Sequence, residues 1–152
     1  MSYTAMQIVS EIMRQCNFEN IGMTNLRLQM VLYYIQTKSL QDTGTPAFED
    51  DFEAWRVGPV IRDVYREFMR YVGLGIEFDD SILKKNRAPI DRKTSKLVHE
   101  ILVLTRYFGA WDLAYRAKKT AAYRWSYIGG MTIPISKNRI KELGEMNLEK
   151  DG

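Results

Sequence analysis

Apolar side chains recur along most of this chain at the spacing of an α-helix with one buried face. Ile8, Val9, Ile12, Met13 and Cys16 share a first helical face, which residues 17–22 interrupt. Thr24 can cap a second helix by accepting a free backbone N–H. The pattern predicts that helix over about residues 25–42. Leu28, Val31, Leu32, Ile35 and Ser39 form one stripe, and Leu26, Met30, Tyr33 and Tyr34 widen it. A helix apolar on most sides belongs at the centre of a fold. Gly44 and Pro46 end it.

Beyond it, Phe48, Asp50, Phe52 and Ala54 loosely alternate, which predicts a short extended segment within residues 48–57. Gly58 supplies backbone freedom, and Pro59 suits the first turn of a helix carrying Ile61, Val64, Tyr65, Phe68 and Tyr71 or Val72 inward. Gly73 and Gly75 stop that helix, and residues 74–90 read as a long loop. Asp91 caps a further helix to about Tyr107, with Leu97, Ile101, Leu104 and Phe108 facing inward. Gly109 breaks it. Short helices follow over 110–119 and 123–128. Ser136 caps a last one with Ile140, Leu143 and Leu148 inward. The expectation is a mainly α, single compact domain over residues 1–152, with about six or seven helices and at most a minimal β element around residues 48–57.

Composition narrows this picture modestly. A chain of 152 residues with 45% hydrophobic and 12% aromatic content can bury a core and is not disordered. No apolar run is long enough to span a membrane. Glu11 and Arg14 interrupt the N-terminal pattern, which argues against a signal peptide. The single cysteine, Cys16, makes no internal disulfide and no structural zinc site alone, so a reducing cytoplasm is the natural reading. A net charge of +3 neither selects nor excludes an acidic partner.

Two segments carry a more specific signal. Leu28-Gln29-Met30-Val31-Leu32-Tyr33-Tyr34 is followed by Glu53-Ala54-Trp55-Arg56-Val57-Gly58-Pro59-Val60 and a Tyr-rich helix. This combination resembles the Panacea domain family of bacterial antitoxins and phage-associated proteins. The resemblance is strongest over residues 25–71. Ala110-Trp111-Asp112-Leu113 with Trp125, and Ile135-Ser136 with Ile140, extend it. Two positions depart from the family pattern. Lys118 stands near where many members have a Thr-His pair, and Arg124 precedes Trp125 where proline is commoner. A role carried by that histidine in relatives is absent or moved here.

The resemblance implies a non-enzymatic protein-binding function: neutralisation of a cognate toxin, encoded by an adjacent gene, by direct contact. It also implies frequent residence in phages and mobile elements. No cofactor is expected, and no His/Cys cluster in the sequence suggests a metal.

The remaining chemistry is sparse. His99 falls on a polar helix face with Arg92, Ser95, Lys96 and Arg106, as expected of a solvated histidine. Gly73-Leu74-Gly75 lacks the preceding strand and third glycine of a phosphate loop. Glu49, Asp50, Asp51 and Glu53 form an acidic run that fits a solvated loop better than a calcium loop. Arg62, Arg66 and Arg70 recur every four residues; they form either an exposed charged face, partly neutralised by Asp63 and Glu67, or a docking strip for an acidic surface. Together with Trp55 and Arg56 they are the candidate partner-binding residues, Trp55 leaning towards the core and Arg56 towards exposed contact. Lys84, Lys85, Arg87, Arg92, Lys93 and Lys96 are the densest basic stretch. They motivate the alternative reading, a nucleic-acid-binding regulator, although no aromatic interleaves them for base stacking. Most of the aromatic residues, at helical spacing, are expected in the core.

Overall fold

The structure, a computed structural model, describes residues 2–71, 73–77 and 79–148. Its first helix, α1 (Ala5–Gln15), starts on a capping box: Thr4 receives the Gln7 amide, and the Gln7 side chain receives that of Thr4. Residues 17–22, expected only to break the chain, hold a single helical turn, α2 (Phe18–Ile21). Asn17 caps it, and Gly22 closes it in the left-handed region.

The long helix α3 (Asn25–Thr43) is the axis of the fold. Thr24 caps it and Gly44 ends it at φ +75°. Every residue from Leu28 to Thr37 is buried, as expected of a helix apolar on most sides. Its polar members are occupied. Gln29 receives the Ile61 amide at 2.8 Å, and Gln36 receives that of Ala47 at 2.8 Å while donating to the Phe48 carbonyl at 2.9 Å. Two glutamines thus fasten passing backbone to a mostly apolar helix, satisfying groups that burial would leave unpaired.

Strand β1 (Phe52–Trp55) turns through Arg56 and Val57 into β2 (Gly58–Val60), with Trp55 opposite Gly58 and Ala54 opposite Pro59. This corrects the expectation that Pro59 opens a helix: that helix, α4 (Arg62–Phe68), begins three residues later and runs into a 3₁₀ turn, Met69–Tyr71. Val72 lies outside the described residues. Gly58 has φ +140°, and a Cβ there would stand 3.0 Å from Met30 Cε, so two constraints require glycine.

The loop expected over residues 74–90 contains a helix, α5 (Asp80–Lys85), capped by Asp79 and anchored through buried Ile82. One buried side chain is too little to register as periodicity. Helix α6 (Arg92–Thr105) starts on Asp91 as expected, but its inward face is Val98, Ile101 and Thr105, and Leu104 is exposed. Then come α7 (Ala110–Lys118), α8 (Ala121–Ser126), β3 (Ile133–Ile135) and α9 (Lys137–Leu143), the last capped by Ser136. Ile140 and Leu148 are buried; Leu143, expected inward, is exposed.

β3 joins β1 antiparallel, with Pro134 opposite Glu53, so the sheet order is β2–β1–β3. The minimal β element expected at 48–57 is therefore the middle of a small sheet. The architecture is mainly α, with nine α-helices among the described residues. Around α3 pack α4, α6, α7, α9 and β2, while α1 packs on α5 and α6. Glu11 of α1, itself buried, accepts Ser95 Oγ of α6 at 2.7 Å and Arg14 at 2.7 Å. Among the described residues no helix is long and apolar enough to cross a membrane.

Candidate functional site

Alternation along β1 turns Phe52 and Ala54 into the core and leaves Glu53 and Trp55 half-buried on the other face. Glu53 is the hub of this outer face. Its Oε1 accepts Trp55 Nε1 at 2.8 Å and Arg62 Nη2 at 2.8 Å. The Arg62 guanidinium lies 5.4 Å from the centre of the Trp55 ring, and Tyr65 meets that ring edge-on at 5.0 Å. Sequence reasoning placed Glu53 in a solvated acidic loop; here it holds a tryptophan and an arginine in fixed positions. The rest of the run is equally engaged. Glu49 accepts Ser2 Oγ at 2.5 Å, Asp50 accepts the Ala5 amide at 2.7 Å, and Asp51 pairs with Lys137 at 2.6 Å.

Of the candidate arginines, the structure brings Arg62 and Arg66 together on α4 and separates Arg70. Helix α4 ends at Phe68, and in the following 3₁₀ turn Arg70 lies over the Tyr71 ring at 5.0 Å and reaches Asp79 at 3.4 Å. Arg56, in the β1–β2 turn, and Arg66 are exposed and make no ion pair among the described residues.

Next to this cluster lies an apolar groove of about 300 Å³. Its apolar walls are Leu26, Val57, Val60, Tyr65, Met69 and Trp111, and Asn25, Gln29 and Gly73 complete the lining. Trp111 is 72% exposed and Met69 53%. Large apolar side chains left in water at one place mark contact surfaces. Trp111 belongs to the aromatic set expected mainly in the core. Tyr33 and Tyr34 meet that expectation at 0% exposure, whereas Trp111, Trp125, Tyr107, Tyr115 and Tyr127 are exposed. The signal was present in α7: Leu113, Ala114 and Ala117 define its buried face, and Trp111 and Tyr115 fall on the other side of that wheel.

The basic stretch is dispersed. Lys84 pairs with Asp80 at 3.0 Å, and Lys84 and Arg87 border a cleft of about 450 Å³ shared with Glu11 and Asp80. Lys93 and Lys96 border a separate cleft with Asp42, Asp91 and Glu100; Arg92, with Lys96, borders a third. Lys85 closes α5 in solvent. Carboxylates share the first two clefts, and the six cations are divided among three clefts and open solvent rather than gathered in one track for a phosphate backbone.

His99 is exposed and borders a cleft of about 390 Å³ with Cys16, Arg27 and Arg106. Burial pushes the Cys16 thiol up to about 11, and Sγ donates to the Ile12 carbonyl at 3.3 Å. A protonated, occupied thiol is a poor nucleophile at neutral pH. Among the described residues no group of three or more His, Cys, Asp or Glu side chains is placed to hold a metal ion.

Known proteins resemble this chain over the region that builds the site. The family described as "Antitoxin SocA-like, Panacea domain" matches residues 28–122. One curated relative, Antitoxin SocA of Caulobacter vibrioides (strain NA1000 / CB15N), is 45% identical over 49 residues, which are 32% of this chain and 26% of the relative. The match thus spans about a quarter of that relative's length. No solved structure matches the chain. The family match takes in α3 from Leu28, the β1–β2 hairpin, α4 and the whole of α7; the chain belongs to the SocA-like antitoxin family of Panacea domains.

Proposed function

We propose that this protein is an antitoxin-like domain that binds and neutralises a cognate toxin by direct contact, without catalysis of its own. One observation carries the reading. The family match over residues 28–122 encloses all the groove's lining residues except Asn25 and Leu26, together with Trp55, Arg56, Arg62 and Arg66. The region that relates the chain to antitoxins thus includes a groove that leaves apolar and cationic side chains open to a partner.

The mechanism is steric. A packed helical platform, held rigid by α3, covers the toxin's working surface or fixes it in an inactive form. Exposed Trp111, Met69 and Arg66 have the composition of interface anchors. The toxin is encoded next to this gene, on a phage or mobile element, and the pair meets in the cytoplasm. The nucleic-acid alternative has less support, because Lys84, Arg87, Arg92, Lys93 and Lys96 divide among three clefts, two of which also hold carboxylates, and Lys85 stands apart in solvent.

Expression of the adjacent reading frame in a heterologous host, with and without this chain, tests the reading. Growth arrest relieved by the chain is the expected result. A harmless neighbour that never co-purifies with the chain overturns it.

A further inference from the structure

The groove differs from an ordinary apolar depression in how charge is arranged around it. A helix advances about 100° per residue. In α4 this places Val64 and Phe68 towards the core and Tyr65, with Met69 just beyond, towards the groove. Arg62 and Arg66 then fall between the groove and solvent. Asp63 and Glu67 fall on the opposite flank of the helix, turned away from it. Neither of these acidic neighbours forms an ion pair with Arg62 or Arg66 among the described residues. Arg56 adds a cation beside groove wall Val57. Lys118 adds another: its Nζ donates to the Arg56 carbonyl at 3.4 Å, and its stem lies 3.9 Å from a Cβ placed at Gly58. Arg62 is already paired with Glu53, so the uncompensated charge beside this apolar floor is the positive charge of Arg66, Arg56 and Lys118, which make no ion pair among the described residues.

From this we infer that the groove receives an amphipathic segment of a partner protein, with an apolar face for the floor and Asp or Glu along its flank. This partner chemistry belongs to the site proposed above and rests on that reading for its biological setting. Guanidinium forks pair with carboxylates bidentately, and a helix lying in an apolar groove is a recurring mode of peptide recognition. Trp111, rising from α7 at the far wall, covers the segment's apolar face. A second copy of this chain is a poor occupant, because a two-fold contact would set the patch that carries Arg56 and Arg66 against the same cationic patch of the other copy.

The test is selection of random 16-residue peptides displayed on phage against the intact chain, with binding measured on purified peptides. Peptides with apolar anchors at helical spacing and acidic flanks are the expected winners. Their affinity should fall at least about tenfold on Trp111→Glu and on Arg66→Glu, and stay level on Trp125→Glu, an equally exposed tryptophan that is not a groove wall. Circular dichroism and thermal melting confirm that each variant folds. The inference is overturned by an absence of enrichment, by winners that are basic or uncharged, by equal binding to the groove variants, or by a dimer of the chain that Trp111→Glu dissociates. The two readings separate cleanly. Toxin rescue that survives Trp111→Glu rejects the groove and keeps the antitoxin role; acidic winners without any rescue keep the groove and reject the role.

Discussion

Gln29 Oε1 accepts the amide of Ile61 at 2.8 Å, across 32 residues of sequence. Ile61 is the N-cap residue of α4, which has no side-chain cap of its own. The glutamine of the Leu-Gln motif therefore fixes where the arginine-bearing helix begins. Gln29→Leu keeps most of the volume but leaves that buried amide unpaired, at a cost of about 1–3 kcal/mol. Urea denaturation should show this as a lower midpoint with an unchanged slope.

Gly58 is the second structural constraint of the motif region. Gly58→Ala meets both the φ of +140° and Met30 Cε at 3.0 Å. A loss of more than about 1 kcal/mol is expected. Gly73→Ala, also at positive φ but with nothing within 4 Å, bears the backbone cost alone and should lose less; thermal melts of the two variants make the comparison.

Alkaline pH should destabilise the fold through its buried phenols. Burial pushes both Tyr33 and Tyr123 up to about 12, from an ordinary value near 10. A group whose folded value is raised contributes stability that is complete below its unfolded value and disappears as pH climbs to the folded one. Unfolding free energy should therefore be flat up to about pH 9 and fall between about 10 and 12. Tyr33→Phe should flatten that fall while lowering stability at pH 7, since Thr120 Oγ1 loses its 2.8 Å partner. Urea titrations at stepped pH measure both.

The dispersed basic residues predict weak nucleic-acid binding. A duplex titration at two salt concentrations should show a shallow salt slope, because a slope follows the number of phosphates neutralised at once. The triple change Lys84→Glu, Lys85→Glu and Arg87→Glu should leave toxin rescue intact. A steep slope removed by that variant supports the regulator reading instead.

What the sequence made legible was whatever local chemistry decides. Thr24, Asp91 and Ser136 cap their helices where expected, and Gly44 ends α3. The misses share a cause: tertiary context overrode local signals. Pro59 suits a helix start, but pairing with Ala54 holds it in a strand. Asp80–Lys85 is helical around one anchor, Ile82. The inward phase of α6 is set by Val98, not Leu104, because α3 and α1 lie against that side. At the site, Trp55, Arg62 and Arg66 were readable as a group, but Glu53's part in ordering them was not. Nor was the exposure of Trp111, since an aromatic at helical spacing reads as core until the opposite face of the same helix is counted.

Both outer strands of the sheet are three residues long, and each contains a proline, Pro59 in β2 and Pro134 in β3. Proline has no N–H to donate, so neither margin offers a full ladder to an incoming strand. Backbone pairing along these two sheet margins is thereby disfavoured, whether by a partner's extended tail or by a neighbouring copy. Contact at these two margins is left to side chains.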